Sequence, residues 1–148
     1  MAEDWMRHGL STRTFCWPVR VYYEDTDAAG VVYYANYLKF MERARTEWLR
    51  SLGYEQGALG DREGVLFVVR TVELEYRRAA RLDDSLQVLT DVESRGRASL
   101  VFRQAIVRDA DRTSLLCSGL IGIACVQAES FRPTRIPNSM LAEISREP

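Results

Sequence analysis

The chain has 148 residues, a length that fits one domain able to bury a core of its own. It is 47% hydrophobic and 28% charged with a formal net charge of -1, which excludes bulk attraction to nucleic acid or to an acidic membrane surface. Three cysteines without CxxC spacing, Cys16, Cys117 and Cys125, argue against a disulfide framework and against a zinc site.

Residues 1–16 are polar and irregular and read as a loosely held tail, with the domain beginning at residue 17. They lack a basic segment followed by an apolar one, and the longest apolar run, around "LIGIACV", falls far below the roughly 20 residues a bilayer needs. The expectation is a cytoplasmic protein. "PVRVYYE" (18–24) alternates Val19, Val21 and Tyr23 against Arg20, Tyr22 and Glu24, a strand pattern. The acidic turn "DTDAAG" follows. From Asn36 to Leu52 the period becomes helical: Tyr37, Met41, Ala44, Trp48 and Leu52 fall three or four apart. Lys39, Glu42, Arg43, Glu47 and Arg50 supply the polar face, and Gly53 is placed to end the helix with a left-handed cap.

Four more strands are predicted at 65–76, 85–94, 97–108 and 114–127. The last is apolar on both faces and rich in small residues, as an inner strand closely approached by other backbone. "SRG" and "DADRT" are short enough for hairpins. The Pro-punctuated end leads to a final short helix. Strand, one long helix, then four strands is α+β rather than a parallel α/β arrangement. One helix covers only part of a five-stranded sheet, so a sheet edge or apolar patch is expected to meet a second copy.

His8 is the single histidine and lies in the tail, which disfavours Ser-His-Asp, Cys-His and His-dependent dehydratase chemistry. No Gly-rich phosphate loop is present. Chemistry therefore falls to carboxylates, backbone amides and tyrosine. "EDTDAAGVVYYANY" (24–37) offers both halves of an acyl-transfer site: a carboxylate as base or nucleophile, and a helix N-terminus whose free N–H groups stabilise an oxyanion. Equally, Asp25, Thr26 and Asp27 suit an Asx turn, one of them helping to cap the helix.

"VYYEDTDAAGVVYYANYLKFMERARTEWLR" resembles the signature of hotdog-fold acyl-CoA thioesterases, nearest to the Tol-Pal-associated branch and similar also to hydroxybenzoyl-CoA thioesterase. The likeness continues through "FVVRTVELEYRRAARLDDSLQV" and "RASLVF". It implies a long helix wrapped by a five-stranded antiparallel sheet, with dimers or tetramers carrying active sites between subunits. It implies hydrolysis of acyl-CoA thioesters with short-chain or aromatic acyl groups, without metal or redox cofactor. The catalytic carboxylate falls at Asp27 and the N–H that polarises the thioester carbonyl at Tyr34. Gly30, Val31 and Asn36 are expected to contact substrate, Asn36 having a helix-capping role as its alternative. Arg95 and Arg97 match the basic segment that binds the CoA nucleotide in relatives, and a solvated hairpin is the competing reading. The Tol-Pal-associated branch usually carries "VVYH" where this chain has "VVYY", so a side-chain role for that histidine is lost while the backbone N–H is kept.

Smaller assignments complete the reading. Asp25 and Glu24 are structural or solvated, and Tyr37 and Trp48 are core. Glu42, Arg43 and Arg45 form surface ion pairs on the helix, and Arg77, Arg78 and Arg81 form a polar loop or phosphate-attracting rim. Cys117 and Cys125 act as small hydrophobes. Two other functions are open: a non-catalytic acyl-CoA or acyl-carrier-protein binding module, and a structural dimer with no affinity for CoA.

Overall fold

The computed structural model describes residues 13–146; His8 and the rest of segment 1–12 lie outside it. Strand β1 (Phe15–Arg20) is followed by a single 3-10 turn at Tyr23–Asp25, then helix α1 (Asn36–Ser51) and helix α2 (Gln56–Arg62). Four strands come next, β2 (Val65–Tyr76), β3 (Ser85–Arg95), β4 (Ser99–Arg108) and β5 (Leu115–Gln127), before helix α3 (Asn138–Arg146). The strands form one antiparallel sheet in the order β1-β3-β4-β5-β2. The expected α+β architecture of one long helix on a five-stranded antiparallel sheet is what the chain adopts. Short turns make β3–β4 and β4–β5 hairpins, whereas residues 77–84 carry the chain from the β2 edge across to β3.

The first strand departs from expectation. It starts at Phe15, within the segment read as tail, and ends at Arg20, so Phe15 and Cys16 belong to the sheet. Pro18 is tolerated because β1 is an edge strand and pairs with β3 alone. Tyr23, expected in a strand on the face of Val19 and Val21, is 84% exposed in the 3-10 turn. A second difference is α2, which sequence reading left without structure. Its two glycines, Gly57 and Gly60, hide a seven-residue helix that packs on β2.

Helix α1 buries Tyr37, Phe40, Met41, Ala44, Trp48 and Leu49 against the sheet. Gly53 adopts φ +93°, the left-handed cap, and its N–H reaches Arg50 O at 2.9 Å while Tyr54 N–H reaches Leu49 O at 3.1 Å. Trp48 meets Phe102 of β4 edge-on at 5.1 Å, tying helix to sheet. Strand β5 is the inner strand expected, between β4 and β2. At Gly119 an added Cβ would stand 2.1 Å from Glu73 O of β2, the close backbone approach that the small residues signalled.

Candidate active site

The two aspartates of the acidic turn do different work. Asp25 is buried: its Oδ2 accepts Tyr22 N–H at 2.8 Å, and its carbonyl accepts Tyr33 N–H at 3.0 Å and Asn36 Nδ2 at 2.9 Å. It clasps the turn to the start of α1. Asp27 is exposed. Its Oδ1 accepts Ala29 N–H at 2.8 Å, its carbonyl accepts Gly30 N–H at 3.0 Å, and its own N–H donates to Val31 O at 2.9 Å. The chain thus reverses within four residues, and Thr26 bridges Val32 across the turn. Gly30 supplies the φ of +78° that closes the reversal, a conformation side chains disfavour. Asp27 Oδ2 has no donor among the described residues and faces outward. The Asx turn is real, but neither aspartate caps α1: the N-cap is Ala35, without a side-chain bond.

Tyr34 lies one residue before that cap, 63% exposed. Among the described residues no acceptor meets its N–H. Its carbonyl accepts the Tyr76 hydroxyl at 2.9 Å. Tyr76 ends β2 and stands edge-on to Tyr34 at 6.4 Å and to Tyr37 at 5.5 Å, and Tyr33 packs on Tyr34 at 4.8 Å. Burial raises the Tyr76 and Tyr37 phenols above their ordinary pKa, the Ala80 N–H bond to Tyr37 Oη at 3.0 Å working the other way for Tyr37. Both remain neutral hydroxyls at physiological pH. Asn36 is buried with its amide turned to the Asp25 carbonyl, so it joins turn to helix. Val31 is half-buried and bridges Arg81.

The arginines divide between the two ends of the sheet. Arg81 borders the acidic turn through that bridge, and Arg78 lies in the same 77–84 crossover. Arg77 pairs with Glu75 at 3.3 Å. Arg95 and Arg97 flank the β3–β4 turn, where Arg95 lies beside Asp91, Glu93 and Arg103 and the Arg97 carbonyl accepts Ile136 N–H at 2.8 Å. The length of β3, roughly 33 Å at about 3.3 Å per residue, separates this turn from the Asp27 end. One chain therefore brings together Asp27, Gly30, Val31, Tyr34 and Asn36, but not Arg95 or Arg97.

A sequence profile of the thioesterase-like superfamily matches residues 21–144, which spans the turn, the helix and every strand after β1. This chain belongs to that superfamily. Among its relatives, the acyl-CoA thioester hydrolase YbgC of Escherichia coli O6:H1 is 48% identical over 137 residues, covering 93% of this chain and all of that protein. The acyl-CoA thioesterase YbgC of Haemophilus influenzae is 44% identical over 128 residues, 86% of this chain and 92% of its own. The crystal structure of a probable thioesterase from Bartonella henselae superposes with a TM-score of 0.78 at 35% identity, covering 84% of this chain and 99% of that one.

Where α1 packs on the sheet it leaves a cleft of about 270 Å³. Leu38, Trp48, Leu49, Phe67, Val69 and Phe102 supply much of its apolar lining. On α1 its lining runs from Leu38, in the first turn, to Leu49, so it starts four residues after Tyr34 in the chain. Sequence reading missed it, because its walls come from α1, β2, β4 and β5. It also misread Arg45. Instead of a surface ion pair, Arg45 is half-buried, lines the cleft and donates from Nη1 to Gln104 Oε1 at 2.9 Å. Loss of solvent pushes its guanidinium down to about 10, Glu42 partly offsetting this. No ion pair joins Glu42, Arg43 and Arg45 among the described residues; on this helix the pair is Arg50 with Glu47. Cys117 and Cys125 are buried free thiols, as expected, and burial pushes Cys117 up to about 12.

Proposed function

We propose that this protein hydrolyses acyl-CoA thioesters at the junction of the acidic turn and α1. The observation that carries the reading is that the buried Asp25–Asn36 clasp ties the turn holding Asp27, whose Oδ2 has no donor among the described residues, to the start of α1, where the Tyr34 N–H has no acceptor among them. The thioester carbonyl oxygen accepts the Tyr34 N–H, whose donation strengthens as the oxygen becomes anionic. Asp27 then acts in one of two ways. As a base it takes a proton from water, and hydroxide adds to the carbonyl carbon. As a nucleophile it forms a mixed anhydride that water opens. In both, the C–S bond breaks and CoA leaves as thiol after protonation. Oxygen-18 from solvent entering Asp27 in a single turnover identifies the nucleophile route. No metal or redox cofactor takes part in either.

The acyl group runs from Tyr34 into the cleft, which is near the small end of ligand pockets and holds an acyl chain rather than CoA itself. Its apolar lining supports an aliphatic chain, and the exposed Tyr33 and Tyr34 rings support the short or aromatic groups expected from sequence. Exposed Val69, Val72 and Tyr76 along the β2 edge support pairing with a second copy, and antiparallel pairing there would carry the partner's Arg95 and Arg97 toward this chain's Asp27.

Thiol release from a panel of short, long and aromatic acyl-CoAs, with wild type beside Asp27→Asn, tests the reading. We expect turnover in the wild type and a loss of at least about a hundredfold in the variant, with CoA still bound. Equal rates would place the chemistry on another carboxylate, and no turnover of any thioester would favour the acyl-CoA or acyl-carrier-protein binding module.

A further inference from the structure

Arg45 is partly withdrawn from solvent as α1 packs on the sheet, yet its hydrogen-bond partner is neutral. Gln104, the acceptor, is fully buried and is held in turn through its own amide: its Nε2 donates to Met41 O at 3.0 Å and to Thr90 Oγ1 at 2.9 Å. The amide oxygen is thereby fixed toward Arg45. A guanidinium has five N–H donors and stays charged at physiological pH. A cation withdrawn from water is disfavoured unless an anion compensates it. Among the described residues no ion pair reaches Arg45, although Glu42 lies on the same cleft wall. Lys39, Glu42 and Arg45 are the charged residues lining the cleft, and together they leave it with an excess of one positive charge over an apolar floor. An apolar channel with a cation along it fits a chain that is greasy in the middle and anionic at its tip.

We propose that the cleft receives acyl groups bearing a carboxylate at the end remote from the thioester, and that Arg45, oriented by Gln104, binds that carboxylate. The inference rests on the thioesterase reading, which places the near end of the acyl group at Tyr34 N–H. Arg45 stands nine residues beyond Asn36, the first residue of α1, about 14 Å along the helix axis, a span that the lean of helical side chains toward the N-terminus shortens. A medium-length chain covers it, whereas an acetyl or malonyl group does not. A carboxylate can accept two parallel N–H bonds from the guanidinium fork, which gives recognition of the tip as well as the chain.

The test is a matched pair of substrates of equal chain length, octanoyl-CoA and its carboxylated counterpart suberyl-CoA, with thiol release followed in wild type, Arg45→Met and Arg45→Lys. We expect wild type to favour suberyl-CoA in kcat/KM by about tenfold, mostly through KM, as a hydrogen bond to a charged group implies. Arg45→Met should abolish the preference and Arg45→Lys should keep part of it. The wild-type pair decides even if a variant fails to fold. Equal or faster turnover of octanoyl-CoA overturns the proposal while leaving thioester hydrolysis intact. So does an unchanged ratio in folded Arg45→Met. If Arg45→Met instead dissociates an assembly and the wild type shows no preference, the anion belongs to a second copy of the chain. Failure of wild type to cleave any thioester defeats the underlying reading and this proposal together.

Discussion

Asp25 and Asp27 are two residues apart and differ completely in environment. Asp25 spends its carboxylate on Tyr22 N–H and its carbonyl on the start of α1, whereas Asp27 uses one oxygen for the turn and keeps the other toward solvent. The spacing of small residues after Asp27 made its turn legible, because an aspartate accepting the N–H two residues on is a local event. Tyr76 was not legible as a participant, since its bond to Tyr34 O joins positions 42 apart. That bond fixes the peptide next to the proposed oxyanion donor, the Tyr34 N–H. Tyr76→Phe should lower kcat about fivefold, the effect of losing about 1 kcal/mol of hydrogen bonding, with KM and melting temperature little changed; steady-state kinetics and a thermal melt check this. Thiol reactivity follows burial in the same direct way. Cys117, held as thiol by a pKa of about 12, should react with Ellman's reagent only on unfolding, while half-exposed Cys16 reacts in the native protein.

Helix α1 shows how far periodicity reaches. Its apolar stripe predicted the buried face and Gly53 predicted its end, because both depend on neighbours within a turn or two. The same pattern assigned Arg45 to the surface, since a long cationic side chain at the stripe's margin reads as polar until a buried acceptor such as Gln104 is placed across from it. Trp48→Ala should destabilise the fold by about 3–5 kcal/mol by removing the contact with Phe102 and leaving a cavity, read from denaturant midpoints. Strand β5 gives a sharper contrast. A Cβ at Gly119 collides with Glu73 backbone, and one at Gly122 collides with Thr71 Oγ1, the end of a side chain that can rotate. Gly119→Ala should therefore cost about 1–3 kcal/mol as an overpacking substitution, and Gly122→Ala less, in the same denaturation series.

The sheet leaves β2 as an unpartnered edge with Val69 50%, Val72 43% and Tyr76 44% exposed. Exposed apolar residues on an edge strand invite pairing. Val72→Lys should shift the protein toward monomer in sedimentation velocity and reduce thioester turnover with it. The separation of Asp27 from Arg95 and Arg97 along β3 leads to a second expectation. If a partner's arginines serve this chain's Asp27, mixing Asp27→Asn with an Arg95→Ala, Arg97→Ala double variant should restore activity, because one site of each mixed pair then holds every native group. Arginines acting within their own chain would leave the mixture no more active than its components.

The order of the long helix and the strands, the buried stripe of α1, its Gly53 cap, the inner position of β5 and the Asp27 turn could all be read from the sequence, because each is set by periodicity or by backbone rules that act over a few residues. The limits of β1, the helix at Gln56–Arg62, the Tyr76–Tyr34 bond, the Gln104–Arg45 pair and the cleft required the folded chain. Each of these depends on segments dozens of residues apart meeting across the sheet. Burial then decides which polar group keeps water and which must find a partner in the protein.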